Sequence, residues 1–248
     1  MVLRKIDPNV PLSKQVEEQI KEAILNKFFQ PGERLPSENE MVSTFGVSRT
    51  AIREAIHRLA GEGLIKINGR YGAYVSGTEI TSIVNPFENL LLLKYGNDSL
   101  LYLIQARISF EPEIARLAAL YRSNKNLNDL KRCLQKMIDS KDERHIMVKY
   151  DINFHRTLAA STNNPIIPIM MEPIYSMLKK FISENFQLTR APEAAIEEHQ
   201  KILEYIEKQK EKESYDAMAM HVKTAQEHWY KHHLKKSKTD EESKFSAG

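Results

Sequence analysis

Glycine is crowded into the first third of this chain, and that asymmetry divides it into two kinds of polypeptide. Seven of the nine glycines precede residue 78 (Gly32, Gly46, Gly61, Gly63, Gly69, Gly72 and Gly77), and only Gly96 and Gly248 follow. Glycine supplies turns and left-handed backbone but weakens helix interiors. A turn-rich, mixed segment is therefore expected first and a long, almost glycine-free helical segment after it. The division predicts a first domain over 1–76, a linker over 77–86, an all-α domain over 87–234 and a polar tail over 235–248.

In the first segment Val16, Ile20 and Ile24 recur at helical spacing, with Ser13 as the expected N-cap. Pro31-Gly32 closes that unit with a turn. Ser37 followed three residues later by Glu40 is a capping box, so a short helix starts there and stops at Gly46. Ser48 then caps a third helix, Arg49 to Ala60, closed by Gly61. Two helices joined by so tight a glycine turn form a helix-turn-helix. Leu64–Ile67 reads as a strand, Asn68-Gly69 as a hairpin turn and Ala73–Val75 as the return strand, which completes a winged helix.

The third helix carries a DNA-reading pattern. Ile52, Ala55, Ile56 and Leu59 make its buried stripe, while Arg49 and Arg53 are four apart and share the opposite face with Thr50. A recognition helix offers its N-terminal residues to base edges, and arginine can donate two hydrogen bonds to guanine. Ser48 and the helix N-terminus suit a phosphate, and Asn68, Gly69 and Arg70 form a hairpin tip able to approach the backbone or minor groove. For the two arginines alone the alternative is an ordinary solvated helix face, and for Asn68-Gly69 alone a plain hairpin.

The same residues carry a resemblance. Pro31-Gly32-Glu33-Arg34-Leu35-Pro36-Ser37-Glu38, then Gly46-Val47-Ser48-Arg49-Thr50-Ala51-Ile52-Arg53-Glu54-Ala55, then Leu59 with Gly63-Leu64-Ile65, closely resembles the N-terminal domain of the GntR family of bacterial regulators. The resemblance implies that Arg34, Ser48, Arg49, Arg53 and Gly69 lie at double-stranded operator DNA. One departure stands out: Asn39 follows the Ser-Glu pair where many members carry arginine, so a charged contact from that helix is in doubt.

The second segment reads as helices over Phe87–Tyr95, Ser99–Arg122, Leu127–Ser140, Arg144–Ala160, Pro165–Leu188, Ala191–Lys210 and Ser214–His233. Polar residues on the apolar faces of such a bundle are informative. Asp151 and His155 lie one turn apart beside the stripe Met147, Tyr150, Phe154 and Leu158. His199 falls among Ile196, Leu203 and Ile206, and His221 beside Met218, Val222, Ala225 and Trp229. A carboxylate and three imidazoles offered inward from three helices form a candidate divalent metal site, for Zn²⁺ first and for Ni²⁺ or Mn²⁺ as alternatives. A lone inward histidine is otherwise a satisfied core residue.

Asp151-x₃-His155, followed by one histidine on each of the last two helices, resembles the FCD ligand-binding domain of the FadR subfamily of GntR regulators. That resemblance implies an effector domain whose metal helps hold a small carboxylate. Arg107 also lies in an apolar face, with Glu111 one turn on, and Ala115–Ala119 after them extends the match. Arg107 is either half of an intrahelical ion pair or a fork for the effector carboxylate oriented by Glu111.

Charge adds little, since Lys+Arg 36 against Asp+Glu 33 is a net +3. A lone Cys133, no apolar leader and no apolar run near the ~18 residues of a membrane span suit a cytoplasmic protein without a membrane partner. The expected function is a homodimeric, metabolite-responsive transcriptional regulator, most simply a repressor, and not an enzyme. The alternatives are a metal-free regulator sensing an acyl thioester and a metal-dependent hydrolase fused to a DNA-binding head.

Overall fold

The computed structural model describes residues 10–77, 81–184 and 191–245. They fall into two compact units, Met1–Ser82 and Ile83–Gly248.

The first unit runs α1 (Leu12–Leu25), α2 (Glu38–Phe45), α3 (Arg49–Gly61), β1 (Ile65–Ile67) and β2 (Ala73–Val75). α1 starts on Pro11 rather than at Ser13, whose side chain is buried one position inside the helix. At α2 the capping box closes from both sides: the Glu40 N–H donates to Ser37 Oγ at 3.3 Å, and the Ser37 N–H to Glu40 Oε2 at 2.7 Å. Gly46 ends the helix at φ 67°, where a side chain would be strained, and its N–H reaches the Val42 carbonyl at 2.9 Å. Ser48 caps α3 by accepting from the Ala51 N–H at 3.2 Å. Val16, Ile20, Leu35, Met41, Ile52, Ala55, Leu59, Ile65 and Val75 close over one another as the core of this unit.

β1 and β2 pair antiparallel with Ile65 opposite Val75 and Ile67 opposite Ala73. The connection is longer than a two-residue turn: Gly69–Tyr71 form a single tight helical turn, closed by Tyr71 N–H to the Asn68 carbonyl at 2.7 Å. The register explains the difference, because burying both Ile65 and Val75 on one face fixes which residues are left to bridge them. β2 also accepts a partner on its other edge. Arg34 bridges to Tyr74, with Leu35 N–H to the Ala73 carbonyl at 2.9 Å and Val75 N–H to the Glu33 carbonyl at 2.8 Å.

The second unit is helical: α4 (Thr81–Tyr95), α5 (Ser99–Tyr121), α6 (Asn124–Asp139), α7 (Arg144–Ala160), α8 (Ile166–Glu184), α9 (Pro192–Glu207) and α10 (Glu211–Phe245). Two expectations need correction. The linker over 77–86 gives way to helix from Thr81, residues 78–80 lying outside the described ones. Pro86 costs α4 one backbone hydrogen bond, and Val84, Phe87, Glu88 and Leu91 form a half-buried stripe at helical spacing that carries the helix across it. The polar stretch after residue 234 is likewise helix as far as Phe245 and not an irregular tail. It contains no glycine or proline before Gly248, and its lysines and glutamates are good helix formers. The expected end of the Pro165–Leu188 helix falls outside the described residues.

α5 is the axis of this unit and packs on α7, α8, α9 and α10. Its Leu103, Ile114, Ala115, Ala118 and Ala119 are buried with Leu130, Ile152, Phe154, Leu178, Ile202, Ile206 and Met218 in one core. Pro112 is accommodated within the continuous helix. None of the described helices is long and apolar enough to cross a membrane.

Candidate metal centre and DNA-facing helix

In the first unit Ser48, Arg49, Thr50 and Arg53 are exposed at the N-terminal half of α3, opposite the buried Ile52, Ala55 and Ile56. Arg53 is not unengaged, however: its Nε donates to Glu38 Oε2 of α2 at 2.9 Å. Glu38 is a residue the sequence reading did not single out. Arg34 lies against the wing, so close that a Cβ on Gly72 would sit 3.3 Å from its Nε. Gly72 at φ 96° thus serves both the turn and the passage of the guanidinium. Asn68, Gly69 and Asn39 are exposed, and the side chain of Arg70 lies outside the described residues.

In the second unit the structure brings Asp151, His155, His199 and His221 together. One ligand atom from each lies within 4.8 Å of the others. α7 supplies Asp151 and His155 from successive turns, α9 supplies His199 and α10 supplies His221. The three imidazoles are buried at 1%, 0% and 2% exposure. Helical spacing alone places Asp151 with His155; the other two arrive through the packing of α9 and α10 onto α5.

Two of the three imidazoles are anchored through Nδ1. His199 Nδ1 meets the Ala195 carbonyl at 2.7 Å, His221 Nδ1 meets Glu198 Oε2 at 2.7 Å, and His155 Nδ1 lies 3.0 Å from Glu111 Oε2. For His199 and His221 these partners accept, so Nδ1 carries the hydrogen and Nε2 turns its lone pair inward, whereas His155 Nδ1 is buried beside Glu111 without completing a hydrogen bond. His155 and His221 bring their Nε2 atoms to 3.3 Å. His199 Nε2 lies 2.9 Å from Asp151 Oδ1, yet both atoms are buried without completing a hydrogen bond.

Lone pairs and an anionic oxygen facing one another out of water need a cation between them. Two metal–ligand bonds of about 2.1 Å span at most ~4.2 Å, so the widest of these spacings needs only a small inward shift to close on one ion, and an N₃O donor set without thiolate is characteristic of Zn²⁺ and neighbouring divalent metals. The residues present therefore fit a metal.

Arg107 and Glu111 form the next layer. Arg107 donates from Nε to Glu111 Oε1 at 2.7 Å and from Nη2 to Oε2 at 3.1 Å, and Nη2 also lies 3.0 Å from His155 Nε2. The intrahelical ion pair is thus present, and the same Arg107 also lines a cavity beside the cluster. Burial alone would push the Glu111 carboxyl up, but Arg107 and His155 outweigh it and hold it at about 2. Asp151 is likewise held well below the carboxylate range, its burial overcome by His155 and His199. Burial pushes the His155 imidazole down, and Glu111 beside it reverses the direction, so the group is raised. The sequence reading gave Glu198 no role at the site and did not single out the Ala195 carbonyl. Glu198 adjoins His199 in sequence but acts on His221, a pairing that only the α9–α10 contact creates.

The cavity measures about 100 Å³ and is lined by Arg107, Asp151 and His221 at the cluster, by Arg144, and by apolar side chains from α5, α7, α8, α9 and α10.

Comparison with known proteins places both units. Residues 12–75 match the family described as bacterial regulatory proteins, gntR family, and residues 102–224 match the FCD domain. The HTH-type transcriptional repressor NanR of Shigella sonnei is 32% identical over 157 residues, which cover 62% of this chain and 59% of that protein. NanR of Citrobacter rodentium is 33% identical over 158 residues, covering 62% and 60%. The matched region thus spans about three fifths of these curated relatives. Among solved structures, Streptococcus agalactiae GntR superposes with a TM-score of 0.66 at 24% identity over 87% of this chain and 99% of its own. A transcriptional regulator (GntR family member) from Pseudomonas syringae pv. tomato gives 0.50 at 19% identity over 96% and 92%. These likenesses establish the fold.

Proposed function

The chain belongs to the GntR family of bacterial regulatory proteins and carries an FCD domain, and from this we propose that it is a DNA-binding transcriptional regulator, a repressor, that senses a small organic acid through a metal held in its helical unit. The winged helix supplies the output. Arg49, Thr50 and Arg53 would meet base edges in the major groove, Ser48 and the start of α3 a phosphate, and Arg34, Asn68, Gly69 and Arg70 the backbone beside it.

The helical unit supplies the input, and one observation carries that reading: four ligand atoms within 4.8 Å of one another, two of them buried without a hydrogen bond. Asp151, His155, His199 and His221 would hold the metal, with zinc the best fit to three imidazoles and a carboxylate and Ni²⁺ or Mn²⁺ the alternatives. The metal, when bound, would supply a Lewis-acidic anchor for a carboxylate. Arg107 would add a charged hydrogen-bond donor, with Glu111 holding it in place. The acid would change DNA binding by binding one state of the regulator more tightly than the other.

A homodimer on a pseudo-palindromic operator completes the reading. Exposed apolar side chains support it: Leu93 is 88% exposed, Leu90 62% and Phe110 48%. Such surface is what a second copy would cover. The test is elemental analysis of purified protein together with operator binding. One equivalent of a divalent metal per chain is expected, lost in the doubly substituted His199→Ala, His221→Ala protein. Full metal content in that protein would remove the site.

A further inference from the structure

The cavity beside the cluster has charge at both ends and carbon between them. On α5 it runs from Arg107 to Leu100, on α7 from Asp151 to Arg144 and on α10 from His221 to Trp229. In each helix the two lining positions are seven or eight residues apart, which is ~10–12 Å along the axis. Three helices thus agree on the length of the space. At the far end stands Arg144, the first residue of α7. The walls between the ends include Ile104, Met147, Val148 and Leu178. Among the described lining residues only the Trp229 indole N–H adds a polar side-chain group to that stretch. Among the described residues these walls offer a polyhydroxylated chain few partners for its hydroxyls.

We propose that the ligand is a two-headed acid with an apolar spacer, its second anionic group held by Arg144. Arg144 then acts as a specificity residue, reading the length and the far charge of the ligand, while Arg107 and the metal-ligand cluster take the near carboxylate. This builds on the reading of the near carboxylate given above. A planar guanidinium suits the far group because it can grip a carboxylate with two parallel hydrogen bonds.

The test titrates full-length, zinc-loaded protein by calorimetry with linear saturated diacids from butanedioate to nonanedioate. Each is compared with the monoacid of the same chain length. The best diacid is expected to bind roughly tenfold more tightly than its monoacid, which is ~1.4 kcal/mol. Arg144→Gln should bring that ratio close to one, and Arg144→Lys should retain part of it. Equal affinities across every pair, or a ratio that survives Arg144→Gln, would overturn the assignment to Arg144 and leave the near-carboxylate reading standing. If neither kind of acid binds the zinc-loaded protein, the near-carboxylate reading fails and this inference with it.

Discussion

His199 Nε2 and Asp151 Oδ1 lie 2.9 Å apart in the interior of the helical unit, and neither completes a hydrogen bond. A shared cation satisfies both, so metal should be a large part of the stability of this unit. Zinc at about one hundred times its Kd adds ~2.7 kcal/mol, and each kcal/mol moves the melting temperature of a chain this size by ~2–4 °C. Chelator-stripped protein is expected to melt several degrees below zinc-loaded protein, with Asp151→Asn closing most of that gap. Coincident melting curves for stripped and loaded wild-type protein would mean that no ion occupies the site.

Glu198 holds His221 Nδ1 at 2.7 Å. Its carboxylate fixes the tautomer and orientation of the ring and makes Nε2 more basic. Loss of such a partner usually costs 10–100-fold in metal affinity. Glu198→Ala is expected to weaken zinc binding by about that factor in a competition with a chromophoric chelator, with the helical content unchanged. Glu198→Gln, which keeps an acceptor but loses the charge, should fall between. Wild-type affinity in both variants would show that the contact is incidental.

Glu111 gives the metal-free protein a pH dependence of predictable sign. Its carboxyl falls from an ordinary 4.5 to about 2 in the folded protein, because Arg107 and His155 overcome the effect of burial. A depressed carboxyl stabilises the fold fully above pH 4.5, and that contribution fades as the pH falls toward 2. The drop corresponds to on the order of 3 kcal/mol. Urea titrations of metal-free protein between pH 5 and 2.5 should show stability declining with acid. Glu111→Gln should lower stability throughout, since it leaves Arg107 buried without its anion, and should flatten the decline. An unchanged slope in the variant would place the acid sensitivity elsewhere.

What could be read from the sequence was what is local in the chain. Ser37 with Glu40, Gly46 and Ser48 announce α2 and α3 because capping depends on residues three apart. Asp151 and His155 announce a shared face because helical spacing guarantees one. His199 and His221 were visible only as polar interruptions of apolar stripes. The Ala195 carbonyl was invisible, since every residue carries one and only the tertiary fold selects it. Glu33–Leu35 pairs with the far edge of β2 across some forty residues, a contact without local periodicity. Pro86 misled in the opposite sense: a proline that usually opens a helix sits inside α4, because the stripe from Val84 to Leu91 outweighs one lost hydrogen bond.

If Arg53 reads the operator as proposed, Glu38 is the acidic neighbour that DNA would displace from it. The pair is exposed, with side chains 63% and 41% accessible and Nε to Oε2 at 2.9 Å. Such a contact is worth only ~0.2–1 kcal/mol in water, less than the ~1–3 kcal/mol that a base-reading arginine contributes. On that reading operator would win Arg53 from Glu38, while random sequence would gain less from the exchange. Arg53→Ala, like Arg49→Ala, is expected to weaken operator binding by ~1–3 kcal/mol. Glu38→Gln should do the reverse on random duplex: it removes a negative charge facing phosphates and frees one guanidinium, so non-specific binding tightens and its salt dependence steepens by up to about one counterion. Fluorescence anisotropy with operator and scrambled duplexes at several salt concentrations measures both. A Glu38→Gln protein that loses operator affinity while its binding to scrambled duplex is unchanged would show instead that Glu38 orients Arg53 for the operator.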